Sequence, residues 1–345
     1  MAKYDCVILH NNIEGYSPVF DDDMVSTNNV RDEVEAVEQA LRELRFNPYV
    51  MAIDCVDKEA LVLLQKIAPK FVFNLCEGLR GNSEMEMYVA GLLELLGIPY
   101  TGSSPLTLGL ALNKFKVKQL LRAGGIPTPK GWMINPLESI DLSVIPFPVI
   151  VKPSREDASL GINSDSVVYD GLGLQRQIDF IHSRYNQAAL VEQYVIGREL
   201  NVAVIGHTDP QTLPISEIDF SGLPPEEPRI VSYKAKWDIT SPLFIHTVPI
   251  CPAKLAPRTV SRIRELALNV FREIGCRDYA RIDMRLDEKN NPMVLEVNPN
   301  PDISPTAGLA RAAGVAGLSY TELIGKIIAC AVARAANEVK FAYAS

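Results

Sequence analysis

Residues 281–298 read RIDMRLDEKNNPMVLEVN. Two largely apolar runs flank the polar turn DEKNN, the pattern of a β-hairpin. Side chains alternate faces along a strand, so Arg281, Asp283 and Arg285 share one face of the first strand. Glu296 and Asn298 likewise share one face of the second. If the two faces coincide, Asp283 lies opposite or diagonal to Glu296 and Asn298. Two carboxylates and an amide oxygen then converge beside an arginine. Such a cluster is costly when nothing fills it, because neighbouring carboxylates raise each other's pKa. Oxygen-only ligands with open positions suit magnesium shared with substrate phosphates. The alternative is a solvated sheet face on which Asp283 and Glu296 simply pair with Arg281 and Arg285. Beyond the hairpin, LEVNPNPDISP (295–305) carries three prolines and no further strand.

A chain of 345 residues exceeds the size at which one core usually stops growing, so two or three domains are expected. Its 47% hydrophobic and 22% charged residues are those of an ordinary globular protein. The formal charge of -8 repels a phosphate backbone, which makes nucleic acid an unexpected partner. The N-terminal MAKYDCVILHNN has too short an apolar run for a signal peptide, and no segment approaches eighteen apolar residues. A cytoplasmic protein with no membrane contact is expected. The six cysteines, at positions 6, 55, 76, 251, 276 and 330, form no zinc-like cluster and are expected as buried free thiols.

The first hundred residues alternate strands (DCVILH, YVMAID, FVFNL) with helical patterns. In the first helix, which the polar STNN (26–29) is expected to cap, Val30, Val34, Val37, Leu41 and Leu44 recur at steps of three and four. Such alternation predicts a parallel, doubly wound sheet. The loop after the first strand lacks G-x-G-x-x-G, so no dinucleotide fingerprint is present. TLGLALNKFKVKQLLRAGG (107–125) is predicted as one helix. After it the pattern changes to strand, polar loop and strand. Residues 220–254 are expected to form a long functional loop between antiparallel strands. Ser319 and Glu322 have the spacing of a capping box at the last helix.

A lysine ending a buried strand before a polar loop, Lys152 in VIVKPSRE, suits a triphosphate. Lys114 in LNKFK is a second such lysine. In VEQYVIGRE the backbone after Glu192 is suited to an adenine edge, and Glu199 to a ribose hydroxyl. Taken singly, each of these is more often a surface or capping residue.

The order of LGIPYTGSSPLTLGLALNK, FPVIVKPSRE, VEQYVIGRELNVAV, YKAKW, CPA and ARIDMRL…LEVNPNPDISPT resembles the ATP-grasp superfamily, and within it the D-alanine-D-alanine ligases. The resemblance spans nearly the whole chain and is most specific over residues 97–305. It implies an α/β and α+β architecture: a doubly wound parallel preATP-grasp domain (1–112), a central lobe (113–195) and a C-terminal lobe with the metal site (196–345), the two lobes clamping ATP. It implies that Lys114 and Lys152 hold phosphates, and that Glu192, Gln193, Tyr194 and Val195 form the adenine hinge. Glu199 holds the ribose and Lys236 covers the γ-phosphate. Asp283, Glu296 and Asn298 hold Mg2+, two ions with Glu296 bridging, for which Mn2+ could substitute. Arg281 stabilises the oxyanion, and Glu14 is the nearest candidate for an amine-binding glutamate. The implied reaction joins a carboxylate to an amine through an acyl phosphate, and a homodimer through the N-terminal domain is expected.

The substrate positions depart from the family. Asp157 and Ala158 stand where it usually has Gly and Ser, and Trp237 replaces a tyrosine. Ala307 and Gly308 replace a Ser-Leu pair, and Cys76 or Glu77 falls where a histidine is usual. These losses of polar contact imply a retained reaction with changed substrates. A cell-wall D-Ala-D-Ala ligase is the nearer alternative. A non-catalytic ATP-binding regulator is the one from another class.

Overall fold

The structure, a computed structural model, describes residues 4–12, 24–136, 138, 144–156 and 158–342. It opens with β1 (Cys6–Asn11), α1 (Met24–Glu43), β2 (Pro48–Ile53), α2 (Lys58–Ile67), β3 (Phe71–Leu75) and α3 (Glu86–Leu95). The strands pair in parallel in the order β2-β1-β3, and Tyr100 adds a parallel bridge to Val72. Alternation along β1 sends Val7 and Leu9 into a core with Leu64, Val89 and Leu93 on one face. Cys6 and Ile8 pack with Val34, Val37 and Leu41 on the other. Helices cover both faces, as the sequence pattern predicts. The first helix starts at Met24, however, so Ser26–Asn29 lie within it rather than capping it.

Two helices replace the single one expected over 107–125. Helix α4 (Pro105–Leu112) is capped by Ser104, and α5 (Lys114–Ala123) by Asn113, whose side chain accepts from the Lys116 N–H at 3.1 Å. An asparagine that bonds backbone in a non-helical conformation stops one helix and starts the next. The break places Lys114 in the first turn of α5.

An antiparallel sheet in the order β4-β7-β5-β6 follows, from β4 (Gly131–Ile134), β5 (Val149–Pro153), β6 (Val167–Val168) and β7 (Ala189–Gln193), with α6 (Gly171–Tyr185) between the last two. The largest sheet comprises β8 (Gly197–Gly206), β9 (Gln211–Thr212), β10 (Ser216–Asp219), β11 (Val248–Ile250), β12 (Asp278–Asp287) and β13 (Pro292–Asn298). Its order is β11-β10-β8-β12-β13, with β9 beside β8. The long segment between β10 and β11 carries two short helices, α7 (Tyr233–Trp237) and α8 (Pro242–Ile245).

One face of the large sheet, with Leu200, Val202, Val204, Ala280, Ile282 and Met284, buries against α9 (Pro257–Ile274). Each fully buried Leu, Ile or Met there contributes about 1.5–3 kcal/mol. The other face is divided. Ala203, Ile205 and Tyr279 pack under α10 (Gly308–Val315) and α11 (Tyr320–Ala342). Further along the same strands come Glu199, Asn201, Arg281, Asp283 and Arg285, and this polar half lines the candidate site. Ser319 and Glu322 form the expected reciprocal cap at α11, with bonds of 2.7 and 3.2 Å.

Buried polar contacts lock the first sheet to the last. Asp278 accepts from the Gly102 N–H at 2.9 Å and from Arg334 at 3.0 Å, and Arg334 also donates to the Tyr100 carbonyl at 2.7 Å. Asn300 accepts from the Ser103 N–H and donates to Glu86, each at 3.0 Å. The cysteines are free thiols, as expected, but only Cys6, Cys76 and Cys276 are buried, while Cys55, Cys251 and Cys330 are partly exposed. Among the described residues no single helix is long and apolar enough to cross a membrane.

Candidate active site

In the hairpin Asp283 stands opposite Glu296 and Arg281 opposite Asn298, but the register shifts after Asp283, and Met284 pairs with Val294. Leu295 is therefore an extra residue, a β-bulge. Regular alternation would have put Glu296 on the same face as Val294, against the apolar core. The bulge turns it onto the charged face. Two neighbours hold the bulge: Lys118 donates to the Leu295 carbonyl at 3.0 Å, and Thr128 to the Val294 carbonyl at 2.8 Å.

Asp283 is saturated with donors. Arg281 grips it bidentately at 2.8 and 2.7 Å, Asn201 donates at 2.7 Å and Asn298 at 3.0 Å. The pairing of Asp283 with Arg281 thus exists, but inside a cleft rather than on a solvated face. Glu296 differs: no hydrogen bond from a described residue reaches its oxygens, and Lys114 is 3.7 Å away. Burial alone would push its pKa up, yet Lys114, Lys152, Arg281 and Lys236 outweigh burial and pull it down to about 2. Four cations around one carboxylate leave a surplus of positive charge, as a polyphosphate requires. The oxygen types of Asp283, Glu296 and Asn298 suit a hard divalent cation, which on Asp283 would take the place of the donors from Asn201 and Asn298.

Behind this face lies a buried triple of charges. Glu192 on β7 pairs with Lys152 on β5 at 2.7 Å and, more closely, with Lys118 on α5. All three are at least nine-tenths buried. Burial opposes the ionised form of Glu192, but the two lysines prevail and lower its pKa. The side chain of Glu192, a residue expected at the adenine hinge, is thus engaged by the two lysines, and the hinge continues from residue 193. Lys118 went unrecognised in the sequence. Its spacing of four from Lys114, which puts both on one face of α5, was the available signal.

The hinge backbone is anchored where Gln193 N–H donates to Lys130 at 2.8 Å and Tyr194 N–H to Pro148 at 3.0 Å. Val195 is buried, and Ile150, Val167, Ile230, Ile162 and Tyr194 form an adjoining apolar cluster. Glu199, expected at a ribose, pairs with Arg285 at 3.0 Å. Arg285 also donates to the Gly197 carbonyl at 3.0 Å and stacks over Tyr194 at 5.5 Å. Burial raises the Glu199 pKa despite Arg285.

The polar loop after β5 meets the β10–β11 segment. The Trp237 indole N–H donates to the Ala158 carbonyl at 3.0 Å, and Ser159 to the Val231 carbonyl at 2.9 Å. Ala158 and Ser159 both have left-handed backbones, φ 55° and 64°. The Lys236 ammonium lies 4.8 Å over the Trp237 ring, open to solvent through the cleft although protein surrounds it. That enclosure and Arg281 lower its pKa.

Arg281, Asn298, Lys236, Trp237 and Ala158 form one wall of a cavity of about 380 Å3, and residues of the first domain, among them Asn11, Glu33, Gly78 and Arg80, form the other. Neither Glu33 nor Arg80 stood out in the sequence. Ala307 and Gly308, expected in a substrate pocket, do not line this cavity: Gly308 starts α10, and the Ala307 N–H is bonded to Ser304 at 2.9 Å. Glu14 and Asp157 lie outside the described residues.

Known proteins resemble this assembly. The family described as D-ala D-ala ligase C-terminus matches residues 121–329. An uncharacterised protein of Sinorhizobium fredii, y4sG, is 37% identical over 79% of this chain and 80% of its own. A D-alanine–D-alanine ligase of Carboxydothermus hydrogenoformans is 32% identical over 85% and 90%. The structure of D-alanine–D-alanine ligase from Bacillus anthracis complexed with ATP superposes with a TM-score of 0.72, covering 96% of this chain and 99% of that one at 23% identity. On these matches, the chain belongs to the D-alanine–D-alanine ligase family, a family of ATP-dependent ligases built on the ATP-grasp fold.

Proposed function

We propose that this ligase uses ATP and Mg2+ to join a carboxylate to an amine through an acyl phosphate, and that its substrates are not two D-alanines. The observation that carries the reaction class is the convergence of Lys114, Lys152, Lys236 and Arg281 on Glu296, beside a cavity that Arg281 also lines. A carboxylate is a poor electrophile. Moving the γ-phosphoryl group onto its oxygen gives an acyl phosphate, and attack by a neutral amine then expels inorganic phosphate.

In this proposal Lys114 and Lys152 hold the phosphates. Glu192 and Lys118 keep Lys152 in place. Lys236 closes over the γ-phosphate from α7. The backbone of residues 193–195 and the apolar cluster beside it receive the adenine, while Glu199, aligned by Arg285, meets the ribose. Asp283, Glu296 and Asn298 would hold Mg2+, in two sites bridged by Glu296, and the bound metal supplies charge neutralisation at the transferring phosphoryl group. Arg281, fixed by its bidentate bond to Asp283, points its remaining N–H capacity at the cavity, where the acyl oxygen becomes negative. The three sheets then correspond to a preATP-grasp domain and two clamping lobes, in a cytoplasmic homodimer.

The changed substrates rest on the cavity. Trp237 and Ala158 both line it, and neither side chain has a hydroxyl to offer a substrate. The alternative that the chain makes D-alanyl-D-alanine draws on the names of its curated relatives. Phosphate release with a panel of amino acids and amines decides. Turnover on D-alanine alone establishes the alternative. Turnover on other pairs, abolished in Glu296→Gln, supports the proposal. An undiminished rate in Glu296→Gln removes the metal assignment, and ATP binding without turnover on any pair removes the ligase assignment.

A further inference from the structure

The buried arginine beside the proposed ribose position makes more contacts than the alignment of Glu199 requires. Arg285 on β12 stands directly opposite Glu199 on β8 and is only 3% exposed. Its Nη1 donates to the Gly197 carbonyl at 3.0 Å, which ties the guanidinium to the start of β8, just past the hinge. Its Nη2 has two partners at once: it pairs with the Glu199 carboxylate at 3.0 Å and donates to the Arg229 carbonyl. The guanidinium also lies 5.5 Å from the centre of the Tyr194 ring and 5.8 Å from that of Phe220. Phe220 opens the segment between β10 and β11, and Arg229 lies further along it.

Tyr194 grips the same backbone unit from the hinge. Its hydroxyl accepts from the Arg229 N–H at 3.1 Å and donates to the Arg229 carbonyl at 3.3 Å. Residue 229 is therefore held at both of its backbone groups. Beyond it, Ile230 is buried in the apolar cluster beside the hinge, and the Val231 carbonyl accepts from Ser159 at 2.9 Å. Tyr233, the first residue of α7, donates from its backbone to the Ile162 carbonyl at 2.9 Å, and Lys236 stands on that helix. The helix that carries Lys236 thus follows directly from a stretch whose anchor, Nη2 of Arg285, is shared with Glu199.

We infer that Arg285 is a positioning residue that couples the ribose site to Lys236: a ribose hydroxyl bound by Glu199 strengthens the hold of Arg285 on Arg229 and so favours the closed placement of α7. Hydroxyl donors on Glu199 remove its freedom to turn away from Arg285. A guanidinium fixed on its carboxylate side keeps Nη2 aimed at the Arg229 carbonyl, through a charge-assisted contact that is sensitive to angle. A ligand shifts an equilibrium between open and closed only by interacting better with one of them. Contact at Glu199 supplies that difference without touching α7. The coupling rests on the ATP site of the proposed function, whichever substrates are joined.

Hydrogen exchange of the full chain reads this coupling. The amides of Arg229, Ile230, Tyr233, Ala235 and Lys236 are all bonded in the closed arrangement and exchange when it opens. ADP with Mg2+ is the probe, because it carries the ribose and lacks the γ-phosphate that Lys236 meets; 2′-deoxy-ADP and 3′-deoxy-ADP carry the same phosphates without one hydroxyl. Protection of residues 193–195 measures occupancy of the hinge. We expect saturating ADP to slow exchange over 229–236 at least about fivefold, the low end of coupling between sites, and at least one deoxy form, at equal hinge protection, to lose that effect. In Arg285→Met, ADP should still protect 193–195 and leave 229–236 unchanged. An arginine that served structure alone would raise exchange over 229–236 in that variant with and without ADP, yet leave the slowing by ADP at its parent value. The comparison of nucleotides uses the parent chain, so it decides even where Arg285→Met does not fold. Equal slowing by all three nucleotides, hinge protection with none over 229–236, or parent-like slowing in Arg285→Met overturns the coupling and leaves the ATP site standing. If ADP protects neither segment, the ATP site itself falls, and the coupling with it.

Discussion

The Trp237 indole N–H donates to the Ala158 carbonyl across 3.0 Å, joining the loop after β5 to helix α7. The loops on the two sides of the cleft are therefore fastened by side chain to backbone, independently of any side chain at position 158. Trp237→Phe removes the donor and keeps most of the ring. It should weaken closure by about 1 kcal/mol, roughly fivefold. Faster proteolysis of residues 154–162 and a raised substrate KM would report this. Proteolysis and KM both at the parent values would show that the bond does not hold the loop.

Glu192 neutralises two buried lysines at once. In Glu192→Gln both lysines lose their anion while remaining buried, a situation that costs about 3–5 kcal/mol. Urea denaturation should show the full loss. Lys118→Met, which leaves Glu192 still paired with Lys152, should cost less. If Glu192→Gln loses under about 1 kcal/mol, solvent reaches the triple and the packing described is wrong.

Gly102 has φ 97°, and a β-carbon there would sit 2.5 Å from the Asn300 amide oxygen. Gly102→Ala should destabilise by about 1–3 kcal/mol through strain in that backbone region. Asn300→Ala loses its bonds to Ser103 and Glu86, yet it also removes the clash. The double variant should therefore be less destabilised than the sum of the two single ones. A simple sum in denaturant titrations would mean that the two sites do not interact.

Glu33 should make stability fall as pH rises. Its folded pKa is raised, so above its ordinary value of 4.5 the unfolded chain releases a proton that the folded chain keeps. Stability declines from there until the folded pKa is passed, and the penalty then stays constant. Glu33→Gln has no such proton to lose. Its melting temperature should exceed the parent's at pH 8, with the gap closing below about pH 4. A gap independent of pH would show that Glu33 is not the titrating group.

The hairpin turn, the alternation of the first domain, the cap at Ser319 and the residue types of the site follow from local rules of period and capping. Those rules depend on residues a few positions apart, and so they are visible in the chain itself. The identity of the metal-ligand candidates was legible in the same way, because Asp283, Glu296 and Asn298 lie on adjoining strands. The face that Glu296 occupies was not. Unbroken alternation would bury it with Val294, and only the bulge at Leu295, held by Lys118 and Thr128, turns it toward Asp283. The partners of Glu192 likewise come from two other elements, β5 and α5, and the exposure of Glu33 to a cavity depends on loops far away in the sequence. Residue types and their spacing thus suffice for which chemistry the chain carries. Which carboxylates are neutralised and which still lack a cation depends on how distant segments come together, because charge compensation acts through space between segments that no local pattern connects.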